Sequence, residues 1–304
     1  MNEKDPKSDY LKSLKALETE NYLDRIFYRP IGYNIAKAIK NTGITPNAVT
    51  IISIIIGVSA GFFWWHYPGN LGFAVLGILA LVSANILDCV DGQLARMTGI
   101  KSQIGRILDG LAGDLWFLSI YIAFIHRMNM QFDSLPFSPW LFIIVAFVSA
   151  AMHWNQASIT DYYKTLHLLF ISKEKGAEFE NSSDIKKRYK SMKPGINKLI
   201  TWGYIQYTVN QERQTPELQK MMRRLNEKYG DEIPGDIRED LRQKSLSIMP
   251  RLNINTFNGR SVILFFSILT GFIWFYFVWE IFILSINRII LIKKHENICK
   301  NTAV

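Results

Sequence analysis

Between Lys40 and Asp88 the chain carries no Asp, Glu, Lys or Arg. Apolar runs cover Ala48–Trp65, Gly72–Leu87, Leu111–Ile125, Leu135–Trp154, Ser261–Leu269 and Phe272–Leu291. The first, second, fourth and sixth approach the roughly 20 residues a helix needs to cross a bilayer. Gly105–Gly110 completes the third, and the fifth borrows from Asn255–Arg260. The pattern predicts an all-α polytopic membrane helix bundle with about six transmembrane helices. One tilted helix over Ser261–Ile292 is the alternative for the last two runs, but Gly271 suits a turn there.

Outside these runs the periodicity changes. Leu11, Leu14, Leu17, Tyr22, Leu23, Ile26, Phe27, Ile31 and Ile35 recur at helical spacing between basic residues. They predict one or two amphipathic helices over Tyr10–Lys40, split near Pro30 and lying in the membrane interface. Thr45-Pro46-Asn47 then opens the first span. Residues 161–255 read as a charged helical insertion; Leu218, Met221, Met222 and Leu225 form a stripe within Pro216–Tyr229. The expected organisation is residues 1–47 as N-terminal segment, 48–160 as four spans, 161–255 as insertion, and 256–304 as two spans and a tail.

Charge sets the expected orientation. Eight Lys or Arg precede Ala48, whereas Tyr67–Asn70 holds none. Arg96, Lys101 and Arg106 lie between the second and third spans, and Lys293-Lys294 follows the last. Positive residues favour the cytoplasmic side, so both termini and the link around Arg96 are expected there. The net charge is +9 over 304 residues. A basic run, Lys186, Lys187, Arg188, Lys190 and Lys193, suits either anionic headgroups or plain solvent. No recognised motif accompanies the charge, so nucleic acid is not an expected partner. Cys89 and Cys299 make neither a disulfide framework nor a zinc pattern. The charged N-terminus has no apolar core of a signal peptide, so none is expected. His153 and His167 are candidate polar-site residues, with an ordinary structural role as the competing reading.

The candidate chemistry lies where the second apolar run ends. Asp88 and Asp91 are three residues apart, hence on one helix face. Gly92 and Ala95 fall on nearly the same stripe and leave room beside the backbone. Arg96 adds a guanidinium suited to phosphate. Gly105 and Asp109 repeat the small-plus-acid theme on the next helix. Acids at a membrane boundary need a partner, and a hard divalent cation is the economical one.

Asp88-Cys89-Val90-Asp91-Gly92-Gln93-Leu94-Ala95-Arg96 with Gly105 and Asp109 resembles the CDP-alcohol phosphotransferase (CDP-alcohol phosphatidyltransferase) family. Its signature reads D-x-x-D-G-x-x-A-R, about eight residues, then G-x-x-x-D-x-x-x-D. The resemblance implies an integral membrane enzyme of phospholipid biosynthesis. It would move a phosphoalcohol group from a CDP-linked alcohol donor to an alcohol or lipid acceptor and release CMP. It implies Mg2+ or Mn2+ held by Asp88, Asp91 and Asp109, with Gly92, Ala95, Arg96 and Gly105 around the CDP moiety. Membrane lipids are implied partners, and a homodimer stays open. The family's last acid, thought to be the base, falls on Gly113, with Asp114 one residue late. Either the helix widens by one residue between Asp109 and Asp114, eased by Gly110 and Gly113, or another group takes the role. The competing functions are a catalytically altered lipid-binding or scaffold protein, which Gly113 would explain, and a transporter. The transporter would explain the acids but not the Gly and Arg spacing. Lys101 and Arg106 are candidates to receive a phosphorylated acceptor.

Overall fold

Thr45 caps the first long apolar helix. Its side-chain oxygen accepts the Ala48 amide at 3.2 Å, and Pro46 stands in the first turn. Pro suits that place because its missing amide would have had no helical partner. This computed structural model of the protein describes residues 6–67, 70–100, 103–132, 134, 138–230 and 232–302. The side chains of residues 6–8, 103, 104, 106, 107 and 138 lie outside that description, as does Lys101. No strand occurs among the described residues.

The helices in order are α1 Pro6–Lys12, α2 Arg29–Ile39, α3 Pro46–Trp65, α4 Leu71–Thr98, α5 Gln103–Gln131, α6 Ser138–Ile171 and α7 Ser182–Ser191. There follow α8 Ile196–Gln214, α9 Pro216–Tyr229, α10 Gly235–Leu246, α11 Met249–Leu252, α12 Phe257–Thr270, α13 Trp274–Val278 and α14 Leu284–Asn301. They fall into two units, residues 1–154 with 257–283 and residues 155–256 with 284–304.

Among the described residues five helical stretches have the length and apolarity to cross a bilayer: α3, α4, Leu108–Gln131, Pro139–Ile171 and Trp274–Asn301. Helix α12 is apolar but shorter. Gly271, at φ +78°, separates it from α13. Glycine adopts that left-handed conformation without a Cβ clash, so the apolar stretch past Ser261 breaks there. Ile51, Ile55 and Phe62 of α3, Leu118 and Ile122 of α5 and Phe147 of α6 point outward. Such a belt of exposed large apolar side chains is stable against lipid.

In the first unit α3 packs along both α4 and α5. Lipid offers no hydrophobic drive between helices, so contact depends on small residues that admit close approach. A Cβ on Gly57 would lie 2.2 Å from the Trp116 ring, and one on Gly61 would lie 2.6 Å from the Ser119 backbone. A Cβ on Gly77 would meet the Trp64 indole at 2.1 Å. Trp64 Nε1 donates to the Ala74 carbonyl at 3.1 Å. Around these contacts Leu81, Ile120, Phe124, Leu264, Ile268 and Tyr276 complete the core.

The N-terminal segment differs from the expected pair of helices split at Pro30. The helical path from Tyr22 to Ile39 is continuous through Pro30, and the break falls at residues 13–21. Asp24–Tyr28 forms a wide π-helical turn just before Arg29-Pro30. Proline removes one amide from the helical ladder, and the wide turn places that loss beside already altered bonding. Tyr22, Ile26 and Phe27 are exposed, while Leu14, Tyr28, Tyr33 and Ala36 are buried.

In the second unit the stripe Leu218, Met221 and Leu225 of α9 is buried with Ile159, Tyr163 and Leu166 of α6. Helix α14, grouped by sequence with the last spans, contributes Leu291 and Cys299 to this core. Its Glu296 carboxylate accepts the Glu217 and Leu218 amides at 2.7 and 3.2 Å. An acid there answers both the orphan amides and the positive end of α9.

Candidate functional site

Asp88 and Asp91 stand one turn apart near the C-terminal end of α4, and Asp109 lies in the second turn of α5. One carboxylate oxygen from each falls within 4.8 Å of the other two. Asp91 is buried, Asp88 half-buried and Asp109 exposed. Three hard oxygen donors converging from two helices fit a divalent cation, since such ions take carboxylates at short range. Repulsion among the carboxylates makes the arrangement costly without a positive partner.

Thr50 of α3 sets the orientation of Asp91. Its hydroxyl lies 2.6 Å from Asp91 Oδ2 and 3.1 Å from the Pro46 carbonyl. One proton cannot serve both, and the shorter contact to a charged oxygen wins. The sequence reading missed Thr50, because it sits 41 positions from Asp91.

Gly92 and Arg96 form a pair. A Cβ on Gly92 would lie 3.2 Å from an Arg96 Nη atom, so the missing side chain is the space the guanidinium occupies. Arg96 Nε donates to the Ser13 carbonyl. Gln93 Nε2 donates to Ser13 Oγ at 3.1 Å and to the Arg29 carbonyl at 3.2 Å. Arg29 in turn pairs with Glu20 at 3.0 Å. The segment before the first span is thus tied by its backbone to the helix that carries the acids. Burial, then the nearby Asp24, pushes the Tyr28 hydroxyl up to about 12, so it stays neutral beside Asn85. Ala95 and Gly105 are half-buried.

Asp114 does not join the three acids. Helix α5 is α-helical throughout its described length, and of the two alternatives the widening between Asp109 and Asp114 is not formed. Five residues of regular helix turn Asp114 about 140° from Asp109. The residue is exposed, and its carboxyl interacts electrostatically with His153. Gly113 keeps the register of the absent acid, and open space surrounds the place where its Cβ would be.

His153 belongs to a second polar cluster. Its Nδ1 lies 3.2 Å from Glu280 Oε1 and 3.3 Å from the Tyr121 hydroxyl, which donates to Glu280 Oε2 at 3.2 Å. Arg260 donates to Glu280 Oε1, and the two side chains are 2% and 0% exposed. Buried charges at membrane depth are retained when paired in this way. His167, in the second unit, lies 2.6 Å from Ser245 Oγ and is fully buried, in keeping with a structural role. His295, Glu296 and Cys299 also converge, but Glu296 already serves the amides of α9.

Residues 43–173 match the sequence profile of CDP-alcohol phosphatidyltransferase. The chain is 40% identical over 75 residues to an archaetidylinositol phosphate synthase of Pyrococcus horikoshii, covering 25% of this chain and 37% of that protein. It is 28% identical over 109 residues to an archaetidylinositol phosphate synthase of Aeropyrum pernix, covering 34% of this chain and 54% of that protein. The matches thus span about a third to a half of the curated relatives. No solved structure matches.

Proposed function

We propose, from the premise that residues 43–173 carry a CDP-alcohol phosphatidyltransferase domain, that the chain transfers a phosphoalcohol group from a CDP-linked donor to an alcohol in phospholipid biosynthesis. The observation that carries the reading is the convergence of Asp88, Asp91 and Asp109 within 4.8 Å. Magnesium or manganese held there would polarise the phosphoryl group and stabilise the departing CMP. Asp91 is oriented by Thr50 and supplies a fixed oxygen to that centre. Gly92, Ala95 and Gly105 leave the backbone approachable for the nucleotide. Arg96 lies across Gly92 and steadies the diphosphate with the Nη groups that its contact with Ser13 does not use. The finer assignment is a CDP-linked lipid donor and an inositol phosphate acceptor. Its support is that two relatives are named for making archaetidylinositol phosphate.

A second reading has an observation of its own. With α5 regular and glycine at 113, no carboxylate stands one turn beyond Asp109. A chain that binds CDP-linked lipid without turning it over would tolerate that. The full-length protein in nanodiscs separates the two. CMP release is followed with a CDP-linked lipid, CDP-choline or CDP-ethanolamine, each against inositol phosphate, inositol and glycerol phosphate, with and without magnesium. Metal-dependent release from the CDP-lipid with inositol phosphate alone is the expected result. Release with another acceptor removes the finer assignment, and no release from any donor favours the second reading.

A further inference from the structure

We propose that the start of α8 is an interfacial element that seats the second unit on an anionic bilayer surface. Ile196, Leu199 and Trp202 recur every three residues on one face of α8 and are 68%, 62% and 51% exposed. Helix α8 is not among the stretches long and apolar enough to cross a bilayer, so spanning does not account for them. The opposite face is used inside the unit. Thr201, Ile205, Thr208 and Gln211 are buried, and Gln211 Nε2 donates to the Ser158 carbonyl at 2.9 Å. The most exposed apolar side chains stand in the first two turns, Tyr204 follows them at 38% exposure, and the rest of the helix carries Gln206, Asn210, Glu212 and Arg213.

Cations flank that set. Between Ser182 and Trp202 six Lys or Arg stand against one acid, Asp184. Lys186, Lys190 and Lys193 are exposed, and Lys193-Pro194-Gly195 leads directly into Ile196. The Lys198 ammonium lies 4.9 Å from the Tyr189 ring centroid and donates to the Met192 carbonyl at 3.1 Å, so it is engaged by the segment before α8. Large apolar side chains with one tryptophan, beside a cluster of lysines, are what an amphipathic helix in the headgroup region presents. Lysines attract anionic lipid within a Debye length, and the apolar side chains then enter the acyl boundary. Neither feature suffices alone: the lysines are stable in water, but the three large apolar side chains are not placed there without cost. A second copy of the chain would leave this basic rim facing another basic rim, which the charge disfavours.

The test uses the full chain. Cys89 and Cys299 are both buried, so a single Leu199→Cys substitution gives selective labelling with an environment-sensitive fluorophore. Glu227→Cys, on an exposed position of α9, is the reference. Each labelled protein is reconstituted in nanodiscs of phosphatidylcholine alone or with phosphatidylglycerol, carrying lipids with a quencher high on the acyl chain. The expected result is a blue-shifted emission at 199 quenched several-fold more strongly than at 227 in the phosphatidylglycerol discs. The difference should shrink in phosphatidylcholine, at raised salt, and with Lys186→Gln, Lys190→Gln and Lys193→Gln combined. Equal quenching at 199 and 227 in anionic discs overturns the proposal. So does a blue shift at 199 that lipid-borne quencher does not touch, since protein, a second copy included, would then cover the face. Quenching indifferent to lipid charge and salt overturns the role given to the lysines.

Discussion

Thr50→Val tests whether the geometry around Asp91 matters to the chemistry. The substitution keeps the side chain's shape and its place in α3 and removes one donor. Thr50 and Asp91 are 2% and 4% exposed, so water does not readily replace the lost 2.6 Å contact. A hydrogen bond to a charged group is worth about 1.5–3 kcal/mol. At about 1.4 kcal/mol per decade that is roughly 10- to 100-fold in an affinity. The same range, about 10–100-fold, is typical when a residue that orients a metal ligand is removed. The expected outcome is a rise of that size in the magnesium concentration giving half-maximal CMP release, with most of the turnover recovered at saturating magnesium. Manganese binding to the purified protein, measured without substrate, should weaken by a similar factor. Thr50→Ser keeps the hydroxyl and should behave nearly as the unaltered chain. An unchanged or lower magnesium requirement in Thr50→Val would refute the reasoning, because the hydroxyl would then be irrelevant or in competition with the metal.

Asp88→Asn, Asp91→Asn and Asp109→Asn should each abolish transfer without loss of membrane insertion; near-normal turnover at saturating magnesium in any one removes that residue from the site. Because α5 is regular, Gly113→Asp with Asp114→Gly should preserve or raise turnover, as a Cβ at 113 meets nothing within 4 Å; loss of activity in that double variant would show that Asp114 acts where it stands. Glu280→Gln removes the buried carboxylate that Arg260 donates to and should destabilise the chain by about 3–5 kcal/mol, read as a fall in thermal unfolding temperature. Arg260→Met with Glu280→Leu, which also takes Glu280 from Tyr121 and His153, should recover part of that loss, and a double variant as unstable as the single one would contradict it. A cysteine replacing the exposed Leu71 should react with an impermeant reagent from outside the cell, and labelling only from the cytoplasm would reverse the orientation argued from the basic residues.

The helical class and the acid cluster were both legible because membrane physics leaves a coarse signal. Long uncharged runs, and acids where a run stops, need no knowledge of packing to be noticed. The spacing of Asp88, Asp91 and Asp109 carried the cluster, since three residues on one helix and the start of the next face each other with little freedom. What was not legible depended on contacts between distant positions. Thr50, Ser13 and Arg29 carry no sign in the sequence that they meet α4. The register of Asp114 stayed open because Gly110 and Gly113 permit a wide turn without requiring one. Glu280 was readable in principle: it is the one acid in the run Phe272–Leu291, and an isolated acid there implies a partner such as Arg260. Pro30 misled because a proline early in a helical path does not end it when a wide turn precedes it.

The fit of Gly57 and Gly61 against α5, and of Trp64 into the space left by Gly77, has a consequence for the membrane around the protein. A bilayer thicker or thinner than a helix is usually met by tilting that helix. Here α3 cannot slide along α5 or α4 without driving an indole or a backbone atom into a neighbour. The three helices therefore tilt as one block. The spacing between Asp88 and Asp91 on one helix and Asp109 on the next is then indifferent to lipid length, a useful property in a protein proposed to alter the composition of the bilayer that holds it.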